Sequence, residues 1–200
     1  MKISLRRNPW IVLLALLELT LPTALFAGEA LQVVKVAGDR AIQILKDPQL
    51  QSKEKKKERV ERLKEIVNPL FDFEEMARRT LGPHWRRRNP QEQQEFVKLF
   101  RDFLEKIYSD RVDFYAGEKI IYGRESFDND YAQVETSLVT AKGEEVSVVY
   151  RLRHSEGRWK VYDAVVENIS VVNNYRAQFD RIINKSSFDE LKRLLKEKVG

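Results

Sequence analysis

Between residues 119 and 167 the apolar residues recur at every second position, whereas on either side they recur at every third or fourth. Ala132, Val134, Thr136 and Leu138 alternate with Gln133, Glu135 and Ser137, and Val146, Val148, Tyr150 and Leu152 alternate with Ser147, Arg151 and Arg153. Trp159, Val161 and Val165 follow on a further run. A strand turns successive side chains to opposite faces, so this period buries one face of a sheet and leaves the other wet. Lys142-Gly143 and Glu156-Gly157 fall between the runs as hairpin turns, Asp128 and Asp130 read as turn residues, and Ile120 to Tyr122 reads as an extra strand. The segment predicts an antiparallel meander of about four strands.

The flanking segments have helical spacing. Residues 29–46 place Ala30, Val33, Val34, Ala37, Ala41, Ile44 and Leu45 on one face, with Gly38 as a weak point and Asp47-Pro48 as the stop. From Lys53 to Glu65 eleven of thirteen residues are charged, and Val60, Leu63, Ile66 and Val67 supply a thin inner stripe over 53–67. That helix reads either as a solvated face or as a docking surface. Asp72 and Glu75 have the spacing of a capping box, with Gly82-Pro83 as the stop. Asn89-Pro90 opens a long helix whose stripe runs Phe96, Leu99, Phe100, Phe103, Leu104, Ile107 and Tyr108. Two closing helices carry Val172, Tyr175, Phe179, Ile182 and Ile183, then Leu191, Leu194 and Leu195 behind the box Ser187…Glu190. With no internal repeat and no linker, residues 28–200 read as one α+β domain, its N- and C-terminal helices packed on one face of the sheet.

Residues 1–27 read as a secretory signal peptide: Lys2, Arg6 and Arg7, then the apolar run Trp10–Leu17, Pro22, and Ala27 before a cut. Glu18 interrupts the run and Leu25 is large for its place, but eight apolar residues are too few to span a membrane. The segment holds three basic residues and one acidic one, so the formal +5 of the chain falls to +3 for the rest. That is far from the charge of a dedicated nucleic-acid binder. The expected location is the periplasm.

Candidate chemistry is sparse. The absence of cysteine excludes thiolate metal sites, disulfides and cysteine nucleophiles, and His84 and His154 are too far apart in sequence for a short metal motif. No phosphate loop, nucleophile elbow or zinc-protease motif occurs. His154 falls at a predicted turn and reads as a surface residue. Asp163, on the Trp159/Val161/Val165 face, reads either as a general base in an apolar cavity or as a hydrogen-bonded structural carboxylate. Arg78, Arg79, His84, Arg86, Arg87 and Arg88 form a basic cluster that could contact phosphate or sit as a solvated loop. What remains is apolar surface. Amphipathic helices over a curved sheet could enclose an apolar cavity lined by Phe73, Met76, Leu81, Trp85, Phe100, Leu104, Val148, Tyr150, Val161, Val165 and Val172, or the same residues could be ordinary core.

Specific segments resemble a known family. Pro69-Leu-Phe-Asp-Phe-Glu-Glu-Met-Ala-Arg78, Leu81-Gly82 and Trp85-Arg86 are similar to its P-x-F-D-F-x-x-M-A/S-R…L-G-x-x-W signature. Gln94…Phe96…Phe100…Leu104…Tyr108 resembles its long helix, and Tyr150-Arg151-Leu152, Trp159-Lys-Val-Tyr-Asp163 and Glu167…Ser170…Asn174-Tyr-Arg176…Phe179 resemble its C-terminal half. This is the MlaC, or toluene-tolerance, family, and the resemblance runs over residues 31–200. Asn168 stands where the family has Gly, a place where Asn tolerates left-handed backbone, and His84 replaces an aromatic.

The resemblance implies a non-enzymatic periplasmic carrier with no cofactor and phospholipid as cargo. Its implied partners are an outer-membrane lipoprotein–porin complex and the substrate-binding ring of an inner-membrane ABC transporter, and its implied role is lipid asymmetry of the outer membrane. Some relatives point instead to a hopanoid or other lipid. Two tails of about 15 methylenes cost ~24 kcal/mol to expose, at ~0.8 kcal/mol each. A carrier must therefore hide both, in a volume of ~900 Å³ at ~30 Å³ per methylene. Two rival readings remain: an NTF2-like enzyme using Asp163, and an exported adaptor docking through the charged helix.

Overall fold

The computed structural model describes residues 28–200, so the expected signal peptide lies outside the described residues. Helices α1 (Glu29–Lys46), α2 (Lys56–Val67), α3 (Phe73–Leu81) and α4 (Pro90–Arg111) precede strands β1 (Lys119–Asp128), β2 (Tyr131–Val139), β3 (Glu145–Ser155), β4 (Arg158–Val166) and β5 (Ile169–Ser170). Helices α5 (Val171–Lys185) and α6 (Phe188–Val199) close the chain. The fold is α+β, with helices packed around a five-stranded antiparallel meander in the order β1-β2-β3-β4-β5. The strand beyond the expected four is the two-residue β5. It is reached through a turn in which Glu167 and Asn168 both take left-handed backbone, at φ 48° and 65°.

Local side-chain caps start four of the six helices, α3 to α6. Asn89 accepts from the Glu92 N–H while Glu92 reaches back to the Asn89 N–H, and Pro90 fills the first helical position. At α3 only half of the expected box forms. Asp72 accepts from Glu75 N–H at 3.0 Å, but the Glu75 carboxylate turns away to Arg78 and Arg79. Gly38, a poor helix former in mid-α1, has a packing reason: a Cβ there would lie 2.5 Å from the Tyr122 hydroxyl. That hydroxyl donates to Asp39 at 2.9 Å and ties α1 to β1.

Two bulges re-aim the sheet. In β1 the register slips between Tyr122 and Glu125, so Glu125 opposes Val134 and shares the inner face with Tyr122. In β4 the register passes from Val161, opposite Leu152, to Asp163, opposite Arg151, leaving Tyr162 as the extra residue. Past this bulge Ala164 and Val166 take the inner face, and Asp163 and Val165 turn to the other. The uninterrupted Trp159/Val161/Val165 face expected from period two is therefore broken after Val161.

The apolar interior is divided in three. Met76, Ala77 and Leu81 of α3, Phe96 and Phe100 of α4, Val172 and Phe179 of α5 and Phe188, Leu191 and Leu195 of α6 form one cluster. Ala30 and Val34 of α1 pack on Ala132, Val134, Leu152, Trp159 and Val161 of the sheet in a second. Val60 and Leu63 of α2 with Val112 form a small third. Domains ordinarily have one contiguous core with minor satellites.

Candidate functional site

The space between the three clusters is a cavity of about 980 Å³. Its wall draws on nearly every element except α6. Val34, Ala37, Gly38, Ala41, Ile42 and Leu45 come from α1, and Leu63 and Val67 from α2. Phe73 and Met76 of α3 and Leu104, Ile107, Tyr108 and Arg111 of α4 supply a second side. The sheet adds Ile120, Tyr122, Leu138, Tyr150, Ala164 and Val166. The exposed members of the wall are Ile107 and Arg111 at the end of α4, Phe114 beyond it, Val166, Glu167 and Ile169 around the β4–β5 turn, and Asn174. The cavity therefore opens there. Phe114 and Ile169 are 75% and 62% exposed, so the rim itself is apolar.

The wall is almost uncharged. Five tyrosines (Tyr108, Tyr115, Tyr122, Tyr150 and Tyr175) reach it, and burial pushes each hydroxyl above its ordinary value, so all are neutral across the physiological range. The charged groups of the wall are Arg111, Glu118 and Glu167, of which Glu118 is half-buried and Arg111 and Glu167 are exposed at the opening. Behind it, Asn68 donates to Glu105 at 2.8 Å and Lys64 pairs with Glu105 at 3.3 Å, tying α2 to α4. Such a site can enclose apolar chains.

Of the sequence candidates, Phe73, Met76, Leu104 and Tyr150 lie on this wall. Leu81, Phe100 and Val172 belong to the helical cluster and Val161 to the sheet cluster, fully packed among side chains, and Trp85 packs against the helical cluster from outside. Val148 is half-buried on the sheet but off the wall, and Val165 is turned away by the β4 bulge. The candidates were spread along the right elements, but apolar spacing is the same for a residue facing a void and one facing a neighbour. The signal that could have found more of the wall is the α1 stripe, whose second half (Ala37, Ala41 and Leu45) faces the cavity rather than the sheet. The α4 stripe likewise carried Ile107 and Tyr108, whereas Arg111, Phe114 and Ile169 carry no such signal.

Asp163 does not face the cavity. Buried to 2% exposure, it accepts from Val172 N–H at 3.0 Å and Ser170 Oγ at 2.7 Å and pairs with Arg151 at 3.2 Å. It is the structural carboxylate of the two readings, fixing the start of α5 on the sheet. The basic cluster is dispersed onto partners: Arg78 and Arg79 on Glu75, His84 on Asp180 at 2.8 Å, and Arg88 over the Phe188 ring at 4.7 Å, with Arg86 and Arg87 exposed. His154 lies within β3, not at a turn, with its ring 5.1 Å from that of Trp159. The charged helix conceals one residue that its composition does not reveal: Arg59 is buried, reaching the Leu50 carbonyl and Asp113. Among the described residues no group of acidic or histidine side chains could hold a metal ion, and no helix is long and apolar enough to cross a membrane.

Comparison with known proteins agrees with this arrangement. A phospholipid-binding protein from Ralstonia solanacearum, solved in complex with a phospholipid, has the same fold at 25% sequence identity. The match has a TM-score of 0.74 and covers 86% of this chain and 97% of that one. The intermembrane phospholipid transport system binding protein MlaC of Haemophilus influenzae is 25% identical over 128 residues, 62% of this chain. The aligned part spans about 60% of that relative's length. The family described as MlaC protein matches residues 35–197, most of the chain and every element lining the cavity, and the protein belongs to the MlaC family.

Proposed function

We propose that the protein is a non-enzymatic carrier that takes one diacyl phospholipid into the cavity with its tails inward and its head at the opening. The observation that carries this reading is the match between the cavity, about 980 Å³, and the ~900 Å³ that two acyl tails require. Hiding those tails offsets the ~24 kcal/mol that water would exact. The neutral tyrosines and aliphatic wall suit the tails, and the exposed apolar rim suits transfer into another apolar surface without passage through water. The Ralstonia relative's bound phospholipid supports the same cargo. Asp163 points to α5, so the enzyme reading loses the base it relied on.

With this cargo, the family's transport role gives the wider proposal. After export to the periplasm the carrier moves phospholipid between an outer-membrane lipoprotein–porin complex and the substrate-binding ring of an inner-membrane ABC transporter, maintaining outer-membrane lipid asymmetry. Organic extraction and mass spectrometry of the purified protein should recover about one phospholipid per chain. Recovery of none, together with no uptake from liposomes, overturns the carrier reading. A polycyclic lipid in place of a diacyl one overturns the choice of cargo alone.

A further inference from the structure

Gly28 is exposed, immediately precedes α1 and takes left-handed backbone at φ 91°, a conformation that glycine adopts without strain. Its nitrogen donates to Glu125 Oε2 at 2.7 Å, while Oε1 of the same carboxylate accepts from Leu31 N–H at 2.7 Å. Glu125 is a half-buried residue of β1, 97 positions away in sequence, and the β1 bulge puts it on the inner face. A Cβ on Gly28 would meet nothing within 4 Å, so the residue is open on its other side. Gly28 and Glu29 border a cleft to which β4 contributes Arg158 and Lys160. Gly28 also follows Ala27, where the sequence places the end of the signal peptide. An expected cut and a carboxylate therefore meet at one nitrogen.

Resting on the export reading above, we propose that an endopeptidase cuts the chain between Ala27 and Gly28 and that Glu125 receives the new terminal ammonium. Water adds across the amide: the C–N bond breaks, the oxygen joins the Ala27 carboxylate, and both protons go to the Gly28 nitrogen. A free α-amino group ordinarily titrates at about 7.7–8.0, so the new terminus is cationic at neutral pH. Alone, a cation is disfavoured at this place. The start of a helix carries the positive end of its dipole, and Arg158 and Lys160 add like charge along the cleft. Glu29, in the first turn of α1, offsets part of this. Glu125 reverses the balance. The neutral N–H that it holds before the cut becomes a charged donor, and charge-assisted hydrogen bonds are roughly twice as strong as neutral ones. Removal of the leader thus tightens the hold of β1 on α1, the helix that gives six residues to the cavity wall.

The full 200-residue chain is expressed for export in a Gram-negative host, purified, and its first residue read by N-terminal sequencing. Gly28 should stand first. Any other start overturns the proposal, and a chain that keeps residues 1–27 overturns the export reading with it. The lipid recovered from the same preparation judges the carrier reading separately. Transamination with pyridoxal phosphate then converts the terminal amine to a carbonyl and spares the lysines. Thermal melts of the lipid-stripped protein are compared before and after conversion, in the wild type and in Glu125→Gln. The glutamine keeps an oxygen for Leu31 N–H but offers Gly28 no charged acceptor. Conversion should lower the melting temperature of the wild type by about 2–4 °C, the shift that a well-formed ion pair gives a domain of this size. In Glu125→Gln it should leave the melting temperature unchanged or raise it, because it removes an unpartnered cation from the positive end of α1. No loss in the wild type, or an equal loss in both proteins, shows that Glu125 does not hold the ammonium and overturns the proposal.

Discussion

At the scale of single residues, the polar groups that sequence reading marked for chemistry mostly hold the scaffold, and Glu75, read from the sequence only as a capping residue, is what holds two of them. It is 5% exposed and serves two guanidinium groups, Arg78 at 2.6 and 2.7 Å and Arg79 at 2.7 Å, with Arg153 3.8 Å away. Burial pushes its carboxyl up, but the hydrogen bonds and charges of Arg78 and Arg79 outweigh this and hold it below its ordinary value of 4.5. A carboxyl lowered on folding contributes stability that is fully present above its unfolded value and lost as pH falls through the folded one. Glu75→Gln should therefore cost about 1–2 kcal/mol at neutral pH, a modest figure because Arg78 is half exposed and can turn to water. The gap between wild type and variant should narrow as pH drops below about 4.5. Denaturant midpoints at pH 7 and pH 3 check this, and a gap that does not change with pH contradicts the assignment.

At the scale of elements, each bulge turns a carboxylate onto a helix N-terminus. Glu125 accepts from Gly28 and Leu31 N–H, both at 2.7 Å, and Asp163 accepts from Val172 N–H. Unpaired N–H groups at a helix start and the positive end of its dipole both favour a negative charge there. The existence and order of helices and strands were legible in the sequence because they follow from period and caps. The bulges were not, because a single extra residue leaves the composition of a strand unchanged while exchanging its two faces. That exchange moved Val165 and Asp163 off the face to which strict alternation assigns them, and placed Ala164 and Val166 on it. The α1 attachment also bears on function, since six α1 residues line the cavity and, among the described residues, the side-chain hydrogen bonds of the helix to β1 come from Glu125 at its start and Tyr122 at its middle. Glu125→Ala should cost about 1–2 kcal/mol. Its effect should be local, with amide exchange rising across α1 well before it rises in α4. Uniform acceleration throughout the molecule would show that α1 does not move as a separate unit.

At the scale of the whole molecule, the division of the core is what the sequence concealed. Apolar content and periodicity specify that side chains face inward, not whether another side chain meets them there, so Val161 and Val148 were as good candidates for the wall as Tyr150. The difference is spatial: Val161 is fully buried in the sheet cluster, while Ala164, three residues on and past the bulge, is half-buried and borders the void. The two positions should therefore respond in opposite ways to the same enlargement. Val161→Trp forces a large ring into packed space and should destabilise by about 1–3 kcal/mol or more. Ala164→Trp places the ring in the cavity, where it gains contacts that the unoccupied wall lacks, and should leave the stripped protein as stable as wild type or more so. Its effect should fall on the cargo, because the indole takes volume that the tails need. Lipid stabilises a carrier by binding only its native state, by about 2.7 kcal/mol when present at a hundred times its dissociation constant. Stripping lipid should thus lower the melting temperature of the wild type clearly and that of Ala164→Trp hardly at all, with lipid per chain reduced in the variant as isolated. Thermal melts before and after stripping, alongside lipid quantification, read both effects. If Ala164→Trp destabilises the stripped protein as much as Val161→Trp does, or carries lipid undiminished, the space between the three clusters is not where the tails reside.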